Sequence, residues 1–265
     1  MGCAQVTHVW HYGLMAEFWA RFKTDAPEAP FFIESVRRFG EPVLDLGCGT
    51  GRILLPLLRS GLDADGCDVS PDMLRWAKEA AEREGFAPRL HAQAMHELDL
   101  PRRYRTIVIC GSFGLGGSRA TDLECLRRCH RHLEPGGALV FNVEIEYGSS
   151  AWELWRTPDA LPAPWPERGA PRIAPDGSEH YMQIRAVAAD PLTQTYTREV
   201  RLEKWASGQL VARESYTLRG SMYLREELLL MLQVAGFEPT SVHGDFTPEP
   251  ATARHQELVF TAQRP

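Results

Sequence analysis

Val43-Leu44-Asp45-Leu46-Gly47-Cys48-Gly49-Thr50-Gly51-Arg52 runs a buried strand-like segment into glycines at alternate positions, with an apolar helix predicted to begin near Arg52. Glycine in such a turn lets the backbone reverse tightly and lets a ligand approach it closely. The dinucleotide fingerprint G-x-G-x-x-G needs a glycine at position 52, where strand and helix must pack closely, and Arg52 stands there instead. That weighs against a nicotinamide or flavin oxidoreductase, which stays the competing enzyme reading. One β-α-β unit downstream the next predicted strand ends at Asp68. A carboxylate at the tip of the second strand offers two acceptor oxygens to a ribose diol, so the two signals together ask for an adenosine-type ligand.

Outward from this turn, short β-like runs alternate with helical ones between Glu41 and Ile145. The runs are Pro42 to Leu46, Leu62 to Asp68, Arg89 to Ala94, Tyr104 to Cys110 and Ala138 to Ile145, the pattern of a parallel sheet with helices on both faces. Ser70-Pro71-Asp72 places a capping hydroxyl, a first-turn proline and an acid at a helix start. Thr121-Asp122-Leu123-Glu124 reads as a capping box, and Pro135-Gly136-Gly137 as the end of that helix. Two helices, around Trp10 to Phe22 and Pro30 to Phe39, precede the sheet.

After Ile145 the character changes. Trp152, Trp155 and Trp165 stand among prolines, which predicts an irregular loop whose rings something must cover, because a flexible linker has no use for tryptophan. From Ser178 to Leu218 three β-like runs, separated by Asp190-Pro191 and Ala206-Ser207-Gly208, predict an antiparallel meander. In its middle run Thr197, Glu199, Arg201 and Glu203 alternate with Tyr196, Val200 and Leu202, giving one wet face and one packed face. The α/β pattern resumes with a helix from about Arg225 to Ala235 and strands around Pro239 to His243 and Gln256 to Ala262. The expected division is N-terminal helices over 1–40, a core domain over 41–145 and 225–265, and a loop plus antiparallel β insertion over 146–224, serving as substrate cover or dimer contact.

At 265 residues and 44% hydrophobic the chain can bury a full core as one large domain. Its 35 acidic residues against 29 basic ones, a formal charge of -6, provide no basic field for phosphate backbones or an anionic membrane, so neither nucleic acid nor membrane is an expected partner. Val9 to Phe22 lacks the basic flank of a signal peptide, and no run of about 18 apolar residues occurs, as a membrane-spanning helix would need. Six dispersed cysteines suit buried thiols in a reducing cytoplasm. Cys125, Cys129 and His132 share a helix face, but Leu123, Leu126 and Leu133 make the same helix a core element, and no metal site is expected.

Three segments together resemble the class I (Rossmann-like) S-adenosylmethionine-dependent methyltransferases. Val43 to Arg52 resembles their first motif, Gly66-Cys67-Asp68-Val69-Ser70-Pro71-Asp72-Met73-Leu74 the segment after their second strand, and Leu133-Glu134-Pro135-Gly136-Gly137 the turn before their fifth. The resemblance implies an α/β fold with a seven-stranded sheet, parallel except for its last strand, and S-adenosylmethionine over the C-terminal rim. It implies that Asp45, Gly47, Cys48, Gly49 and Gly51 hold the methionine part and that Asp68 holds the ribose. Val69 and Met73 would then flank the adenine, Gln93-Ala94-Met95 would close over its edge, and Cys110, Gly111 and Ser112 would lie beneath the sulfonium. Two positions depart from the pattern: Ala94 stands where many relatives carry an acid for the adenine amino group, and Arg105 where they tend to carry Asp. For the first, Gln93, His96, Glu97 or apolar and backbone contact alone are the alternatives.

Methyl transfer from a sulfonium is an in-line displacement in which the protein places a nucleophile and keeps water out, so a general base is optional. Candidate bases or orienters are Glu144, Glu146 and Tyr147 after the fifth strand and His8, His11 and Tyr12 near the first helix; related small-molecule enzymes often use an N-terminal tyrosine as a cap, which points to Tyr12. Cys110-Gly111-Ser112-Phe113 is not the Asn-Pro-Pro-aromatic turn of enzymes that methylate DNA or glutamine amino groups, and no acidic cluster for a magnesium-bound catechol occurs. The expected substrate is a small molecule with an N or O nucleophile, the expected product S-adenosylhomocysteine, and the protein a monomer or homodimer. A non-catalytic S-adenosylmethionine-binding or scaffold protein is the reading from a different class.

Overall fold

Strand character in the first half comes from β-branched and leucine runs too apolar for a sheet with a solvated face, and in the structure helices cover both faces. The structure, a computed structural model, describes residues 11–144, 156–157 and 160–265. His8, Trp10, Ile145, Glu146, Tyr147, Trp152 and Trp155, named above, lie outside the described residues. In chain order the elements are α1 (Gly13–Phe22), α2 (Ala29–Phe39), β1 (Val43–Leu46), α3 (Leu54–Arg59), β2 (Ala64–Asp68), α4 (Pro71–Arg83), β3 (Leu90–Ala92), a single 3-10 turn (Met95–Glu97), β4 (Tyr104–Ile109), α5 (Arg119–His132) and β5 (Leu133–Glu144). They continue with β6 (Arg172–Ile173), β7 (Glu179–Asp190), β8 (Thr195–Ala206), β9 (Gln209–Ser221), α6 (Arg225–Val234), β10 (Glu238–Gly244) and β11 (Glu257–Gln263).

The main sheet has seven strands in the order β10-β11-β5-β4-β1-β2-β3, with β11 antiparallel to both neighbours and the other pairs parallel. This is a Rossmann-like sheet, parallel except for its last strand. Alternation along each strand divides the core: Leu44, Leu46, Ile107, Ile109 and Phe141 pack toward α5 and α6, whereas Val43, Val108 and Val140 pack toward α2 and α3. Among the described residues no helix is long and apolar enough to cross a membrane.

Two local expectations are corrected. The capping box of α5 begins at Ser118, whose hydroxyl accepts the Thr121 amide while Thr121 Oγ1 accepts the Ser118 amide at 2.7 Å; Thr121 is the third residue of the helix and not its cap. The helix ends at His132 because Leu133 is already extended and pairs with Tyr104, and Pro135-Gly136-Gly137 instead lies where the β4–β5 register shifts, between Tyr104 and Thr106.

The insertion forms an antiparallel sheet in the order β6-β7-β8-β9. Ser207 and Gly208, both at positive φ (50° and 75°), make the two-residue turn that suits the twist of a hairpin. Its apolar face, Val200, Leu202 and Tyr216, buries itself against Leu14, Met15 and Phe18 of α1. Trp165 covers the opposite face, with the guanidinium groups of Arg185 and Arg201 over its ring at 4.6 and 4.3 Å.

Candidate active site

At the end of β1 the chain turns through Gly47, whose amide donates to the Cys67 carbonyl at 2.7 Å with φ at 81°. A Cβ at Gly47 would collide with Ser112 Oγ and Met95 Cε, so only glycine lets these two loops close over the turn. Asp68, at the tip of β2, accepts the Gly49 amide at 2.9 Å on Oδ2 and the Ser70 amide at 2.8 Å on Oδ1. Each oxygen keeps further acceptor capacity, which is what a ribose diol would use. Burial raises the pKa of Asp68 above the ordinary carboxylate value. Gly47, Asp68, Val69, Ala94, Met95 and Ser112 all line one cleft of about 790 Å³. The buried hydroxyl of Ser112, in the cleft wall, and Asp45 Oδ2, buried behind that wall, have no hydrogen-bond partner among the described residues, and a polar ligand in the cleft would supply one to Ser112. This glycine cradle, the diol-accepting carboxylate and the orphaned hydroxyl fit the adenosine-type ligand expected from the sequence.

The remaining predicted residues stand around this cleft without lining it. Asp45 is 1% exposed, and burial pushes its pKa up to about 7. Cys48 and Met73 are buried beneath the turn, and the Cys48 thiol is pushed well up by the same desolvation. Gly51 continues the turn at φ 91°. Cys110 turns its thiol away from the cleft toward Arg52 Nη2 (3.3 Å) and Glu28 Oε1 (3.4 Å). Period-two alternation accounts for this, since Cys110 shares the parity of Val108, which faces α2 and α3. Arg52 itself pairs with Glu28 and so fastens α2 to the glycine turn.

Tyr12 is 48% exposed, packs its ring on Tyr216 (centroids 4.9 Å apart) and is not among the residues lining the cleft, whereas its neighbour His11 is. Burial holds the His11 pKa down at about 4, which keeps the ring neutral. Because Tyr12 supplies no side-chain cap to α1, the orphan amides are satisfied from outside the helix. Gly13 donates to Asp72 Oδ2 of α4 at 2.8 Å, Leu14 to Glu214 Oε2 of β9 at 2.9 Å, and Met15 to Tyr216 Oη at 3.0 Å. The first helix is thereby hydrogen-bonded to the core domain and to the inserted sheet at once, and Leu218 of that sheet reaches the cleft wall.

A second cavity of about 720 Å³ opens beyond the loop after β4, and Phe113 and Leu115 line both. Asn142 Oδ1 accepts the Gly111 amide at 2.8 Å, and its Nδ2 donates to Glu257 Oε2 at 2.8 Å. Glu144 and Glu257 lie directly opposite each other across the β5–β11 pair, and both line this cavity. Burial raises the Glu257 pKa, and the Glu144 carboxylate adds to the rise. Glu257, Asn142 and Tyr223 were not singled out in the sequence. Asn142 carried a signal, since it is an amide inside an otherwise apolar strand.

The cysteine and histidine face of α5 is structural. The Leu100 amide donates to His132 Nε2 at 3.0 Å, so Nδ1 carries the proton and donates to the Arg128 carbonyl at 2.9 Å. Neither nitrogen is left to bind a metal.

A family described as a methyltransferase domain matches residues 43–137. The chain is 27% identical over 223 residues to a putative methyltransferase, YqeM, of Bacillus subtilis, covering 84% of this chain and 83% of the relative. It is 25% identical over 228 residues to the cypemycin N-terminal methyltransferase of a Streptomyces species, covering 85% and 84% respectively. The solved structure of the sugar N-methyltransferase KedS8 from a Streptoalloteichus species superposes with a TM-score of 0.69 at 22% identity, covering 100% of both chains, and so shares the fold.

Proposed function

We propose that this chain is a class I S-adenosylmethionine-dependent methyltransferase and that it methylates the nitrogen of a small amine-bearing molecule seated in the second cavity. This reading is preferred to the dinucleotide oxidoreductase, which Arg52 weighs against, and to the non-catalytic scaffold, which relatives named as methyltransferases and matched over most of their length do not favour. The observation that carries the choice of nitrogen is the facing pair Glu144 and Glu257 in the cavity wall, two carboxylates against the one guanidinium, of Arg198, among the described residues there, which suits an ammonium better than a neutral hydroxyl. Two relatives are named for methylation of amino groups, an N-terminal one and a sugar one, which supports the same choice.

S-adenosylmethionine supplies an activated methyl group on a sulfonium. Under this proposal the glycine turn, with Gly47 in the cleft wall and Asp45 buried behind it, holds its methionine part, Asp68 takes the ribose hydroxyls, and Val69 and Met95 border the adenine. Glu257, its Oε2 fixed by Asn142 Nδ2, binds the acceptor as an ammonium and receives the proton the nitrogen must lose before it can attack. Glu144 raises the proton affinity of Glu257 for that exchange. Phe113 and Leu115, common to both cavities, keep water from the junction where the methyl passes. The inserted sheet and α1 cover the site.

The test is methyl transfer to matched small molecules that carry an amine or only hydroxyls, with Glu257→Gln beside the wild type. Turnover confined to amines, with the acceptor KM raised about tenfold or more in the variant and affinity for S-adenosylhomocysteine kept, is the expected result. Turnover of hydroxyl-only acceptors, or an unchanged KM in the variant, would overturn the assignment of nitrogen.

A further inference from the structure

The adenine end of the cleft lacks its usual acceptor. Ala94 has no polar side chain, and the Gln93 amide is closed on one residue, with Oε1 accepting the Asp99 amide at 2.9 Å and Nε2 donating to the Asp99 carbonyl at 3.2 Å. We propose that Asp122, in the first turn of α5, selects adenine in this protein by accepting a hydrogen bond from its 6-amino group. The inference rests on the cofactor reading above.

Asp122 lines the same cleft as Ala94, Met95 and Ser112 and is 7% exposed. It stands on the inward stripe of α5 with Cys125, Leu126 and Cys129, where a carboxylate is costly without a partner. β4 and β5 run parallel and α5 connects them, so α5 returns antiparallel to the strands and its first turn lies at their C-terminal edge, beside the glycine turn. The Tyr223 hydroxyl donates to Oδ2 at 2.5 Å and fixes the carboxylate. Oδ1 borders Gly117, another residue of the cleft wall, where a Cβ would sit only 2.7 Å from it; glycine there keeps the approach to this oxygen clear. Burial raises Asp122 to about 6, so near neutral pH it is an acceptor only. A 6-amino group presents N–H bonds to such an oxygen, whereas the 6-oxo group of hypoxanthine presents lone pairs and is repelled.

A purely structural Asp122, serving only to bind Tyr223, would not distinguish these bases. The test is calorimetric titration of the full chain with S-adenosylhomocysteine and with S-inosylhomocysteine, which replaces the 6-amino donor by a 6-oxo acceptor and the N1 acceptor by an N1–H donor. Wild type is expected to favour the adenine compound by roughly 10- to 100-fold. Asp122→Asn, which keeps the shape and brings an N–H donor, collapses that preference, and Asp122→Ala brings the two affinities together by weakening the adenine compound and relieving the repulsion of the oxo compound. Tyr223→Phe, which keeps the carboxylate but removes the bond that fixes it, lowers the preference without abolishing it. Thermal unfolding of each variant reports whether it is folded, and the asparagine variant decides the matter if the alanine variant is not. Wild-type discrimination in Asp122→Asn would overturn this proposal alone; wild type that binds neither compound would overturn the cofactor reading and this proposal with it.

Discussion

The Glu214 carboxylate of β9 accepts the Leu14 amide at 2.9 Å, and that bond joins the inserted sheet to the start of a helix that cannot cap itself. Removing a capping acceptor costs about 1 kcal/mol. Glu214→Ala is therefore expected to lower the thermal midpoint. It also weakens S-adenosylhomocysteine binding, because His11, just before this helix, forms part of the cleft wall. Wild-type affinity in this variant would show that the helix start does not shape the cofactor cleft.

Asp45 makes ligand-free stability depend on pH in a defined direction. Its folded pKa, about 7 against an ordinary 3.8, means that the folded chain holds a proton the unfolded chain releases. The stabilisation from that proton is fully present below about pH 4 and is lost as pH rises through about 7. Asp45→Asn removes the dependence, so its stability relative to wild type grows across this window, by up to about 4 kcal/mol. If the ligand's ammonium approaches Asp45 as proposed, saturating S-adenosylhomocysteine narrows the gap, since a nearby cation favours the charged carboxylate. Chemical denaturation at several pH values checks both; parallel stability curves for the two proteins would contradict the assignment.

His132→Ala leaves the buried Leu100 amide without its acceptor, a loss of about 1–3 kcal/mol. Because both ring nitrogens serve backbone groups, chelators and added zinc are expected to leave the wild-type unfolding midpoint unchanged. A midpoint that falls with chelator would restore the metal reading of Cys125, Cys129 and His132.

Short-range chemistry was legible in the sequence to the extent that the competing signals were unequal. The glycine turn, Asp68 at the end of β2 and the Ser70 cap each rest on a local requirement that one residue type meets, and the structure places them accordingly. Ser118 and Thr121 both carry a hydroxyl, so spacing alone could not tell cap from third residue. Cys110 could have been turned correctly by counting strand parity from Val108. Asp122 enters the sequence reading only as a member of the capping box Thr121-Asp122-Leu123-Glu124, although its spacing of three and seven from Cys125 and Cys129 already puts it on the buried stripe. The wet and dry faces of β8 were readable, but not that α1 covers the dry one, because Leu14 and Val200 are distant in sequence and no local rule pairs them.

The most direct test of the central claim is calorimetric titration of the protein with S-adenosylhomocysteine, comparing wild type with Asp68→Ala. Micromolar binding by wild type, about 8 kcal/mol, and a loss of about 100-fold or more in the variant is the predicted result, since the substitution removes the diol acceptor and frees the Gly49 amide. Equal affinity in the two proteins would contradict the placement of the ribose on Asp68, and absence of binding by wild type would contradict the cofactor site itself.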